Sequence, residues 1–123
     1  MNVVDAVRRA FRPAFRTVSA REAAAMIEHG ALLVDVREPV EWRAGHAPRA
    51  RHIPLGSLRN HLEDLPQDRT LIVVCRSGMR SSRAASLLSG AGRDVLNLGG
   101  GMRSWQSSGL PMVAAGGKPG RVA

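Results

Sequence analysis

The chain has one cysteine, set between an oily run and an arginine-studded stretch of small residues, "LIVVCRSGMRSSRAASLL" (71–88). Burial as a small core residue is the ordinary fate of a lone thiol. A core position gains nothing, however, from Arg76, Ser77, Gly78, Met79 and Arg80 directly after it. Cys75 ends the apolar run, so in an open α/β sheet it falls at the carboxyl edge of the strands, where ligands bind. Gly78 reaches backbone angles closed to other residues, which lets residues 76–80 curl with their N–H groups inward. Such a nest at a helix N-terminus gathers partial positive charge and favours an anion. A thiol at its centre ionises more readily than a free one, whose pKa is about 8.5. Arg76 and Arg80 strengthen the effect and are placed to hold an oxyanion. The expected site is a nucleophilic thiolate in a pocket for a small dianion, with its sulfur open to solvent.

Other chemistries are poorly served. No Ser/His/Asp set and no carboxylate pair accompanies the loop. His29, His46, His52 and His61 are scattered, with no metal-ligand spacing between them. His46, in "GHAP", reads as a turn or packing residue. Asp35 reads as the buried partner of an arginine rather than as an acid or base. No metal and no cofactor is expected. What remains needs only a thiolate and an anion cradle: attack on the outer sulfur of an anionic donor gives a persulfide on Cys75 and releases an oxyanion. The leaving group is already an anion, so no proton shuttle is required. With no second cysteine to discharge it, the persulfide must pass to an outside nucleophile. Two alternatives use the same thiolate: a sulfur-relay or adaptor module acting between partner proteins, and a phosphatase-like hydrolase.

The elements that position this loop are readable from pattern. "SARE" (19–22) is a capping box opening a helix that should stop near Gly30. "ALLVDV" (31–36) and "TLIVVC" (70–75) are continuous apolar runs of the kind buried on both faces of a parallel sheet. "PVEWRA" (39–44) reads as a short helix with Pro39 in its first turn. "RHIPL" (51–55) reads as a brief strand ended by proline, and 57–64 as a short helix. "RSSRAASLLSGAG" (80–92) is a helix stopped by Gly90 or Gly92, "DVLNL" (94–98) a strand, and "GGGMRSWQSSG" (99–109) a glycine turn followed by a short helix. Strands alternating with helices imply an α/β domain with a parallel sheet.

Three regions are expected. Residues 1–16 form a basic amphipathic lead-in. There Val4, Val7, Phe11, Ala14 and Phe15 make an apolar stripe beside Arg8, Arg9, Arg12 and Arg16, and Pro13 kinks or ends any helix. Residues 17–113 form the compact domain, and 114–123, "AAGGKPGRVA", a flexible tail. At 123 residues, the chain suits one core. Its aromatics are only Phe11, Phe15, Trp42 and Trp105, so aliphatic residues must fill that core. The net charge of +8 is almost all arginine, spread along the chain rather than concentrated. Such a charge steers small anions and gives no reason to expect a specific nucleic-acid partner. No apolar run approaches the roughly 18 residues of a membrane span, and the start lacks the pattern of a secretory signal. A single thiol fits a reducing compartment, and a cytoplasmic location is expected.

Taken together, "LLVDVREPVEWRAGHAPRARHIPL" (32–55), "VVCRSGMRSSRAASLL" (73–88) and "LGGGMRSWQSSGLP" (98–111) resemble a single-domain rhodanese, a thiosulfate sulfurtransferase, from about Thr17 to Val113. The resemblance implies a rhodanese-like α/β fold, a small five-stranded parallel sheet flanked by helices on both faces. It implies that Cys75 carries the persulfide and that Arg76, Ser77, Gly78, Met79 and Arg80 bind the substrate. It makes Asp35, Arg37, Gly45, His46 and Trp105 structural. The partners it implies are a small anionic sulfur donor and a thiol or cyanide-like acceptor, a protein among them. The loop is Cys-x4-Arg, as in sulfurtransferases, whereas phosphatases related to this fold use Cys-x5-Arg.

Overall fold

The computed structural model describes residue 3 and residues 15–123. The stripe expected at Val4, Val7, Phe11 and Ala14, and the kink at Pro13, lie outside the described residues. In chain order the elements are β1 (Arg16–Val18), α1 (Ala20–Glu28), β2 (Leu32–Asp35), α2 (Pro39–Ala44), β3 (Arg51–His52), β4 (Leu71–Val74), α3 (Met79–Gly90), β5 (Val95–Leu98) and α4 (Gly101–Ser107). A 3-10 stretch over Leu55–Asp64 joins β3 to β4, and a single 3-10 turn lies at Ala115–Gly117.

All five strands run parallel in the order β1-β5-β4-β2-β3. β4 is the central strand, and every residue of it is buried, as is every residue of β2 and β5. Burying a Leu, Ile or Val contributes roughly 1.5–3 kcal/mol over leaving it exposed, which is why unbroken apolar runs go to the middle of the sheet. Alternation along β4 splits the core. Leu71, Val73 and Cys75 face a cluster with Ala84, Ala85 and Leu88 of α3 and Leu58 of the 3-10 stretch. Ile72 and Val74 face the opposite cluster, with Ala20 and Ala23 of α1 and Met102 and Trp105 of α4. Helices therefore cover both faces, as the resemblance implies.

The local signals act as read. Ser19 and Glu22 form both halves of the capping box on α1. Pro39 opens α2, and α3 ends at Gly90. Two elements differ. The pattern gives no strand before Ser19, yet Arg16–Val18 pair with Leu96–Leu98 as an edge strand, beginning one residue inside the expected lead-in. Three residues, two of them exposed, are too few to show a period. The segment at 57–64 is 3-10 rather than a regular α-helix, starts two residues earlier and breaks at His61 (φ −122°, ψ 15°).

Residues 114–123 fold back on the domain. Arg121 N–H donates to Ala44 O at 3.0 Å, and Val122 N–H donates to Gln106 Oε1 at 3.0 Å. Among the described residues, no helix is long and apolar enough to cross a membrane.

Candidate active site

β4 delivers Cys75 to the carboxyl edge of the sheet, and the chain must turn at once to start α3. Gly78 makes that turn: its φ of +115° is a left-handed conformation that side chains resist, and it stands as the N-cap of α3. The turn points donors at the sulfur. Gly78 N–H reaches Cys75 Sγ at 3.0 Å, and the Ser81 hydroxyl lies 3.4 Å from the same atom. Ser81 and Ser82 both reach the Gly78 carbonyl, at 3.2 and 2.9 Å, and Asn97 on β5 donates to Ser82 Oγ at 3.1 Å. These bonds fix the loop from the helix side.

The turn after β5 fixes it from behind. Met102 N–H donates to Cys75 O at 2.8 Å and Arg103 N–H to Arg76 O at 3.2 Å. Gly101 has φ +60°, and a Cβ there would run into the backbone of Cys75 and Arg76. Only glycine allows the two loops to meet.

Burial pushes the Cys75 thiol up, but hydrogen bonds from the Ser81 hydroxyl and from the N–H groups of Ser81, Gly78 and Ser77 together outweigh it. The thiol is held below its ordinary range. The expected open pocket is not what the structure shows. Cys75 is only 1% exposed, because the amides that would cradle a guest close on the sulfur itself.

The guanidinium groups are placed differently from the sequence expectation. Arg80 is gripped by Glu41 of α2, with Nη1 to Oε1 at 2.6 Å and Nη2 to Oε2 at 2.9 Å. The hydrogen bond from Arg80 holds the Glu41 carboxyl below the usual range. Arg76 Nε donates to Ala123 O at 2.9 Å. Both arginines stand beside the loop, but neither side chain bonds to the sulfur. Ser77 and Met79 are exposed on the loop.

The remaining sequence-marked residues are part of the frame. Asp35 and Arg37 form a fully buried ion pair (Oδ2 to Nη2, 2.7 Å), and Arg37 also donates to Gly45 O at 2.7 Å, tying the end of β2 to the end of α2. A Cβ on Gly45 would meet the backbone of Arg121 in the returning tail. His46 stacks on Trp42 at 3.6 Å and bonds through Nδ1 to Trp42 O, a packing role. Trp105 is buried and donates to Pro111 O at 2.9 Å. Among the described residues, no three of His, Cys, Asp and Glu gather as a metal would require.

Three contributors escaped the sequence reading: Ser81, Glu41 and Gly101. Ser81 carried a weak signal, as a hydroxyl on the first turn of a helix whose N-terminus faces the thiol. Glu41 carried none.

Comparison with known proteins shows the family and the fold. Residues 19–108 match the family described as Rhodanese-like domain. A protein named Sulfurtransferase from Allochromatium vinosum is 44% identical over 85 residues, 68% of this chain and 78% of that one. Thiosulfate sulfurtransferase GlpE of Pseudomonas syringae is 35% identical over 76% of this chain and 90% of its own length. Among solved structures, a rhodanese-related protein from Thermoplasma volcanium superposes with a TM-score of 0.76 at 32% identity, covering 80% of this chain and 98% of that one.

Proposed function

The chain belongs to the rhodanese-like domain family, and on that premise we propose that it takes sulfane sulfur from thiosulfate or a related anionic donor onto Cys75 and passes it to a nucleophilic acceptor. One observation carries this reading: Cys75 Sγ sits among donors, Gly78 N–H at 3.0 Å and the Ser81 hydroxyl at 3.4 Å, that favour the anion. The Cys75 thiolate attacks the outer sulfur of thiosulfate. Its S–S bond breaks, the bonding pair leaves with sulfite, and Cys75 is left as a persulfide anion. An acceptor such as cyanide or a thiolate then attacks the terminal sulfur, and the pair returns to Cys75.

The loop that closes over the thiol must loosen enough to admit the second sulfur. The main-chain donors of Ser77 and Gly78, together with those of α3's first turn, then hold the new terminal anion in place of the old one. Arg76 and Arg80 lend positive charge at the rim.

Phosphatase-like hydrolysis has less support. It needs a protonated acid for the leaving group, whereas Asp35 is bound up with Arg37 and Glu41 is kept ionised by Arg80.

Mass spectrometry after treatment with thiosulfate tests the reading. One added sulfur atom on Cys75, released as thiocyanate by cyanide and absent in Cys75→Ser, is the expected result. Sulfite release that survives in Cys75→Ser overturns it.

A further inference from the structure

Met79 is left over by the sulfur chemistry. It stands on the Cys75 loop with 80% of its surface exposed, although a small dianion held by amides has no use for an apolar side chain. Val40, beside the Glu41 that grips Arg80, is 64% exposed. Exposed apolar residues bordering a reactive loop mark a contact surface rather than a pocket for an ion.

The surroundings are cationic. An open groove of about 770 Å³ is lined by Arg80, the last residue of the loop, by Arg59 and Arg83, and by the apolar Leu55 and Leu87. Arg59 and Arg83 are exposed, and neither side chain has a hydrogen bond or ion pair among the described residues. Arg76 and Arg103 line a second depression on the α4 side of the loop. Met and Arg are enriched where proteins meet, and a free guanidinium fork matches a carboxylate in two places at once. Among the described residues, Glu38 is the one acid lining the larger groove, so acids on a bound chain would lie towards Arg59 and Arg83 and away from Glu38.

We propose that this face docks an acidic peptide segment of a partner protein that carries the acceptor thiol, with an apolar residue against Met79 and carboxylates on Arg59 and Arg83. The assignment rests on the persulfide reading of Cys75. A chain lying in the groove brings its cysteine to the loop at Arg80. The partner's thiolate attacks the terminal sulfur of the Cys75 persulfide, and a new S–S bond forms on the partner. The old S–S bond breaks, and its electron pair restores the Cys75 thiolate. No oxidant or reductant is consumed.

Three fluorescent probes test the surface by anisotropy: a peptide of leucine and glutamates around a central serine, the same peptide with glutamines, and a short single-stranded oligonucleotide. The acidic peptide is expected to bind about tenfold more tightly than the neutral one, equivalent to ~1.4 kcal/mol. The R59Q/R83Q variant should lose that advantage while still releasing sulfite from thiosulfate. Equal binding of the two peptides, an unchanged R59Q/R83Q, or tighter Arg59- and Arg83-dependent binding of the oligonucleotide overturns the docking surface. With cysteine in place of the central serine, the acidic peptide should drain sulfur from loaded Cys75 about tenfold faster than its neutral counterpart, in line with electrostatic steering. A Cys75 that gains no sulfur from thiosulfate sinks the persulfide reading and the acceptor role with it. A loaded Cys75 that shows no preference for the acidic peptide sinks the docking surface alone.

Discussion

At the scale of single residues, burial alone would drive Cys75 towards the neutral thiol, because a charge is costly in a poorly polarisable interior. The donors around it reverse the outcome: Gly78, Ser77 and Ser81 offer N–H groups, and Ser81 adds its hydroxyl. Charge plays the smaller part, since the Arg80 fork is engaged by Glu41. Ser81→Ala therefore tests the balance. A hydrogen bond to a charged group is worth about 1.5–3 kcal/mol, so losing this one should slow alkylation by iodoacetamide at neutral pH about tenfold. The folded thiol is held below its ordinary value, so thiolate reactivity in the parent protein should rise to its plateau at lower pH than for a free cysteine. In Ser81→Ala that midpoint moves up, while the alkaline plateau is kept. A parallel drop at every pH would mean that Ser81 only supports the loop. Cys75 and Gly78 were legible in the sequence because adjacency reveals them. Ser81 looks no different from Ser82, and Glu41 lies 39 positions from Arg80, so only the fold brings them into place.

At the scale of elements, the site is a junction: the end of β4, the start of α3, and the turn into α4 pressed behind them. The apolar runs of β2 and β4, the capping box of α1 and the stop of α3 were readable because each rests on local chemistry. β1 was not, since an edge strand of three residues is specified by its partner β5 rather than by its own pattern. The end of β2 is pinned by the buried Asp35–Arg37 pair, which also holds Gly45. Arg37→Leu leaves a buried carboxylate without its counter-charge, a change that costs about 3–5 kcal/mol. The expected outcome is a lowered urea midpoint with an unchanged slope. A loss of less than about 1 kcal/mol, the scale of an exposed ion pair, would show that water reaches the pair.

At the scale of the whole molecule, a net charge of +8 suits the anionic sulfur donor proposed for Cys75. Fields of this kind raise encounter rates with anions and are screened as the Debye length shrinks, from about 30 Å at 0.01 M salt to about 8 Å at 0.15 M. The second-order rate with thiosulfate should therefore fall several-fold across that range, while the rate with neutral iodoacetamide stays level. Equal salt dependence of the two would remove steering from the account. The charge and the overall α/β order were open to reading from sequence. The return of residues 114–123 was not, because it depends on bonds from the tail's N–H groups to the Ala44 carbonyl and the Gln106 side chain that no composition announces.

The clasp between Gly101 and the backbone of Cys75 and Arg76 has a consequence for engineering. Transplanting residues 75–80 into another scaffold would move a spring without its anchor. A chimera needs the glycine turn at 99–103 from the same parent, and the two stretches should be exchanged, randomised or evolved as one cassette.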